Sequence, residues 1–202
     1  MSVTALDVVA SDGQRYSFVL TCHPATPCRA VQSVNARLQD AGGGALAVGF
    51  LLQGDLNRLR VPPPARPRRA DRLWTHTCFE VFVGLQGQSA YYEFNLSPSG
   101  EWAAYAFRRY RDPAPIDATR LAPAIQAKLT DTTLTLNTTL SVNNLPLITP
   151  HAPLMIGISA VIEDDNGVLS YWALKHPPGK PDFHHADAFA LALPPAQAWP
   201  LR

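Results

Sequence analysis

Apolar and polar positions alternate, or β-branched and aromatic residues cluster, in short stretches along most of the chain. They are Arg15 to Cys22, Leu46 to Gln53, Cys78 to Gly84, Ala90 to Ser97, Glu101 to Arg108, Thr133 to Val142, Leu154 to Glu163, Gly167 to Lys175 and Ala188 to Leu193. Period-two stretches of this length, set apart by turn residues, predict the strands of an all-β protein, an antiparallel sandwich. Ser97-Pro98-Ser99-Gly100 and Asp165-Asn166-Gly167 predict hairpin connections, each ending on a glycine free to take positive φ. Helical heptads are absent, and only Val31 to Gln39 has a spacing that would suit a helical turn or two.

Composition sharpens this picture. The 202 residues are 47% hydrophobic and only 16% charged, enough apolar material for one core, so a single domain over residues 1–202 is expected. Nineteen prolines oppose long helices. A net charge of +1 supplies no field to gather nucleic-acid phosphates or anionic lipid. Met1 to Ala10 lacks the basic and apolar regions of a signal peptide, and no run reaches the roughly 20 apolar residues of a membrane span, so a cytoplasmic protein is expected. Cys22, Cys28 and Cys78 are too few for a disulfide framework and are expected to be reduced.

The loop Val61 to Arg72 holds four prolines and, with Arg60, five arginines. It reads as an extended polyproline-like segment with solvated arginines, or as an anion-binding loop. Glu163-Asp164-Asp165 reads as a solvated turn, because it lacks the spaced ligands and terminal glutamate of a calcium loop.

Chemistry-bearing side chains crowd two places. If Cys78 to Val83 and Tyr91 to Leu96 are neighbouring strands, alternation sends Phe79, Val81, Val83, Tyr92, Phe94 and Leu96 to the core. The opposite face then shows Cys78, Glu80 and Phe82 beside Tyr91, Glu93 and Asn95. This face could be a solvated sheet, a surface for sugar hydroxyls, or the acid pair of a glycoside-processing enzyme. The second place runs from Tyr171 through Trp172 and Lys175 to Asp182, His184 and His185. Adjacent histidines on an extended chain point to opposite sides, so no metal site is expected there. The sequence has no serine elbow, phosphate loop or dinucleotide fingerprint, and no catalytic residue is assigned.

The motifs Leu73-Trp74-Thr75-His76-Thr77-Cys78-Phe79-Glu80-Val81-Phe82, Tyr92-Glu93-Phe94-Asn95-Leu96-Ser97-Pro98-Ser99-Gly100-Glu101-Trp102, Tyr171-Trp172-Ala173-Leu174 and Pro181-Asp182-Phe183-His184 resemble bacterial intracellular DOMON-like proteins akin to type 9 carbohydrate-binding modules. The resemblance spans Trp74 to His184. It implies a two-sheet sandwich that binds a small polar ligand, a sugar or sugar derivative, with Trp74 and Trp172 as an aromatic clamp and Glu80 as a carboxylate. His76, Tyr91, Glu93, Asn95 and Lys175 complete the expected ligand-binding set, with both glutamates ionised as acceptors. The alternative implied by the same resemblance is a non-covalent haem protein, with His76, Lys175 or His184 as axial ligand and Met155 the only internal methionine.

Overall fold

The structure is a computed structural model that describes residues 15–143, 145–147 and 153–194; Met1 to Ala10 lies outside the described residues. In chain order the strands are β1 (Arg15–Cys22), β2 (Val31–Gly42), β3 (Ala45–Gly54), β4 (Cys78–Leu85), β5 (Tyr91–Leu96) and β6 (Trp102–Arg109). They continue with β7 (Asp112–Ala114), β8 (Gln126–Leu129), β9 (Thr133–Ser141), β10 (Leu154–Glu163), β11 (Leu169–Ala173) and β12 (Leu191–Leu193).

Two antiparallel layers result. One runs β1-β2-β3-β9-β8 and the other β7-β6-β5-β4-β10-β11. β1 joins them, since Tyr16 to Leu20 pair with β2 while Thr21 and Cys22 pair with β11. β12 pairs with the first residues of β10.

The core between the layers follows the alternation of the sequence. Phe79, Val81 and Val83 of β4 and Tyr92, Phe94 and Leu96 of β5 meet Val34, Ala36, Leu38 and Phe50 of the other layer. Phe50 and Phe79 touch across it, ring centroids 4.7 Å apart. Ser97 to Gly100 and Asp164 to Gly167 form the two expected turns, with Gly100 at φ +92 and Gly167 at φ +82.

Three expectations are corrected. Residues 31–39 are not helical but belong to the long strand β2. Val31, Val34 and Leu38 are spaced as on a helix, but Val34, Ala36 and Leu38 are the buried period-two set, and pairing with β1 and β3 holds the segment extended. Glu163 is not solvated: it ends β10, is buried, takes an ion pair from Arg60 at 3.1 Å and lies 2.7 Å from His76 Nδ1. The arginines of the proline-rich loop are not simply solvated either. Arg68 pairs with Glu101 and Arg69 with Asp71, while Trp102 and Arg69 form a parallel bridge that holds the loop against β6.

The outer face of the second layer is buried as well. Phe82, Tyr91, Val161, Ala173, Phe183 and Phe189 form a second apolar cluster under the segment that follows β11. Gly157 of β10 makes that cover possible, because a Cβ there would sit 3.2 Å from the Phe82 Cβ and 3.3 Å from the Ala188 carbonyl oxygen.

A side chain at position 157 must therefore lift the 186–189 segment. Gly157→Val is expected to cost about 1–3 kcal/mol, the usual scale of overpacking. Urea unfolding checks this, and unchanged stability would show that the cover is not close-packed on the sheet.

Candidate functional site

β4 and β5 pair so that Glu80 lies opposite Asn95 and Phe82 opposite Glu93. Glu80 and Glu93 are thus diagonal neighbours on the outer face, as the alternation requires. β6 adds Tyr105 opposite Glu93 and Phe107 opposite Tyr91. Val161 comes from β10 and Tyr171 from β11. These strands floor a cavity of about 610 Å³, whose walls are Trp74 and Arg111 on turns, Pro113 on β7, and Lys180, Pro181, Phe183 and His184 on the segment after β11.

The walls are fixed by short contacts. Trp74 leaves a short 3-10 turn and meets Tyr105 edge-on, ring centroids 5.7 Å apart. Tyr105 donates its hydroxyl to Asp71 at 2.8 Å, and Arg69, itself bonded to Asp71, lies 5.6 Å from the Tyr105 ring. Part of the arginine-rich loop thus holds the aromatic floor in place. Across the cavity, Asp182 accepts from Tyr110 at 2.7 Å and Arg111 at 2.9 Å. Arg111 has φ 51, left-handed backbone that is uncommon outside glycine. The far loop is clipped to β1: His176 Nε2 bonds the Thr21 carbonyl at 2.8 Å, and His23 Nε2 bonds the Gly179 carbonyl at 3.0 Å.

A polar chain crosses the floor. The Arg111 N–H donates to the Tyr91 hydroxyl at 3.1 Å, and that hydroxyl lies 2.8 Å from His184 Nδ1. With the tyrosine donating onward, His184 carries its own proton on Nε2, which faces Glu93 Oε2 at 3.5 Å. Asn95 donates to Glu93 Oε1 at 2.6 Å, and the Cys78 thiol faces Asn95 Oδ1 at 3.7 Å. Ser159 of β10 donates to Glu80 Oε2 at 3.3 Å.

Glu80 and Glu93 are only 3% and 5% exposed. Burial raises the pKa of Glu93 to about 7, against the lowering effect of Asn95 and Arg111. Glu80 is held well above the usual carboxylate range, first by burial and then by the negative charge of Glu93. This corrects the expectation that both acids stand ionised. Burial and the neighbouring Arg111 push His184 down to about 4, so its ring is neutral. Asp182 stays low: burial works against it, but hydrogen bonds from Tyr110 and Arg111 prevail.

Of the expected residues Trp74, Glu80 and Glu93 line the cavity, Tyr91 and Asn95 stand behind it bonded to His184 and Glu93, and the others lie elsewhere. Trp172 is the main correction: it points from β11 into the core between the layers, its indole N–H bonded to Ser170 at 3.0 Å, and it shares no cavity with Trp74. Its neighbour Tyr171 faces the cavity instead. His76 is exposed and bound to Glu163, and Lys175 is exposed outside the cavity walls. Sequence reasoning missed Tyr105, Phe107, Arg111 and Lys180. Carrying the period-two argument from β5 into β6 would have found the first two.

The haem alternative does not fit these residues. An axial ligand needs a ring nitrogen or amine free toward an apolar slot. His184, which lines both this cavity and a neighbouring one of about 320 Å³ that holds Met155, has partners facing both ring nitrogens, and His76 and Lys175 are outside the cavity. The floor itself carries two carboxyl groups. Among the described residues no three His, Cys, Asp or Glu side chains converge as a metal-binding set.

No protein-family model and no curated protein matches the sequence. Among solved structures, a candidate carbohydrate-binding protein from Bacteroides uniformis is similar over 77% of this chain and 75% of its own, with TM-score 0.57 and 13% identity. A family 9 carbohydrate-binding module from Caldicellulosiruptor kristjanssonii in complex with cellotriose has TM-score 0.47 and 12% identity, covering 80% of this chain and 73% of that one. A structure of such a module from the same organism with glucose has TM-score 0.46 and 11% identity, covering 88% and 81%. The chain has the antiparallel β-sandwich fold that it shares with the Bacteroides protein.

Proposed function

We propose that the protein is a non-catalytic binding protein for a small polar ligand, a sugar or sugar derivative, held in the cavity floored by Glu80 and Glu93. The observation that carries this reading is the pairing of two buried carboxyls with aromatic walls in one cavity of about 610 Å³. Aromatic faces give a pyranose ring apolar contact, and convergent polar groups then choose its hydroxyl pattern. Trp74, at 39% exposure, has ring surface for a ligand to cover. Tyr105, Phe107, Tyr171 and Phe183, rather than Trp172, supply the other aromatic surface.

Burial of the acids suits a binding role. It raises both, Glu80 well above the carboxylate range and Glu93 to about 7. A protonated carboxyl both donates and accepts, as a hydroxyl-rich ligand requires. The three cysteines are free, and a cytoplasmic setting would keep them so.

Ligand titration followed by tryptophan fluorescence tests the reading. Trp74→Phe should remove most of the signal change, because the other tryptophans among the described residues, Trp102 and Trp172, are buried away from the cavity. Glu80→Gln should weaken binding by about 1–3 kcal/mol, the scale of a disturbed hydrogen bond to an ionisable group. Turnover of a glycoside by the native protein, lost in Glu80→Gln, would overturn the non-catalytic assignment.

The floor acids also make stability depend on pH. A carboxyl whose pKa rises on folding stabilises the fold fully below its unfolded value, and that contribution is lost as pH climbs through the folded value. For Glu93 the window runs from 4.5 to about 7. Glu93→Gln should therefore gain stability relative to the native chain at pH 8 compared with pH 5, by on the order of 3 kcal/mol. Denaturant midpoints at the two pH values measure it, and an equal difference at both would show that Glu93 ionises freely in the fold.

A further inference from the structure

Protein donors hold only part of the carboxyl pair. Ser159 reaches Glu80 Oε2, while no hydrogen bond among the described residues reaches Glu80 Oε1. Asn95 reaches Glu93 Oε1, while Glu93 Oε2 has only the neutral His184 ring at 3.5 Å. Both side chains line the cavity, so the two less-engaged oxygens belong to carboxyls that face the same space.

Charge around that space is nearly, but not fully, balanced. The groups facing the pair are Cys78 on β4, Tyr105 on β6, Tyr171 on β11, Arg111 at the β6-β7 turn, and Lys180, Asp182 and His184 on the loop after β11. The Cys78 thiol and the Tyr105 phenol are neutral near pH 7, since burial raises both, and the His184 imidazole is neutral too. Arg111 is already committed to Asp182 at 2.9 Å. Ionising both floor acids would set Glu80, Glu93 and Asp182 against Arg111 and Lys180, one positive charge short, so the pair keeps a proton until a cation arrives. Aromatic faces at Trp74, Tyr105, Phe107 and Tyr171 also favour a cation over an anion.

We propose that Glu80 and Glu93 together receive a primary ammonium group, so that the ligand is an amino sugar in its protonated form. This rests on the sugar-binding reading above and narrows it. An ammonium has three donors and no acceptor, which suits two carboxyl groups whose remaining oxygens lack protein donors. Seating it lets one acid ionise: that carboxyl proton leaves to solvent as the ammonium enters, and the charge in the cavity is conserved.

Titration of the full chain with glucosamine, glucose and N-acetylglucosamine tests this. Glucosamine is expected to bind roughly tenfold or more tightly than either neutral sugar, the increment of one charge-assisted hydrogen bond. Its affinity should rise between pH 5.5 and 7 as the acids become easier to ionise. Calorimetry at pH 6 in two buffers of different protonation enthalpy should show release of about one proton with glucosamine and none with glucose. Glu80→Gln and Glu93→Gln should each remove the preference for the amine, with circular dichroism confirming that the variants fold. Glucose or N-acetylglucosamine binding as tightly as glucosamine, or no proton release, would overturn the ammonium assignment and leave the sugar reading intact. Binding of benzylamine with no binding of any sugar would keep the ammonium site and overturn the sugar reading, whereas silence with every probe would overturn both.

Discussion

An antiparallel sandwich usually leaves the outer face of each sheet in water, which is why its strands alternate apolar with polar. β4 and β5 break that pattern, because every one of their residues is buried. A strand pair sealed on both faces must be covered by something other than the opposite sheet. The cover is the segment between β11 and β12, and most of the unusual features of the molecule follow from it. Phe183 and Phe189 supply its apolar underside, Gly157 gives it room, and His23 and His176 fasten it to the end of β1. Where the cover does not close, it leaves the cavity.

That cavity is polar at its floor and aromatic at its sides, and its electrostatics come from the cover rather than from the strands. Two glutamates on an open sheet would be ordinary surface charges. Beneath the loop they lose their water, one of them becomes an extra burden on the other, and His184 above them stays neutral. Asp182 escapes this fate because Tyr110 and Arg111 bond it directly. The Asp182 ion pair restrains Arg111 and the Asp71 hydrogen bond restrains Tyr105, so these walls are held by the protein's own contacts.

Much of this was legible in the chain. Phe79, Val81, Tyr92 and Phe94 announce the core face by alternation, and the same argument places Glu80, Glu93 and Asn95 together on the other side. Trp172 shows where alternation fails. Tyr171 and Trp172 are consecutive aromatics on a strand buried on both faces, so period two says that they diverge but not which one meets the core. Pairing of Trp172 with Ala160 and Cys22 decides it, and that pairing is not local. Arg111, Lys180 and the elevated acids were out of reach for a related reason. Their surroundings are assembled by loops some 70 residues apart, joined at Arg111 and Asp182. In residues 31–39 a chance spacing of valines and leucine imitated a helix until two neighbouring strands claimed the backbone.

The backbone of Arg111 has one more implication. A side chain held at φ 51 is strained relative to glycine by on the order of 1 kcal/mol. Its guanidinium nevertheless reaches Asp182 and the cavity wall from that position. Glycine would relax the turn but remove the guanidinium that holds Asp182, so backbone ease and the anchoring of the cavity wall ask for different residues there. The turn thus gives up backbone ease to set a cation on the cavity wall.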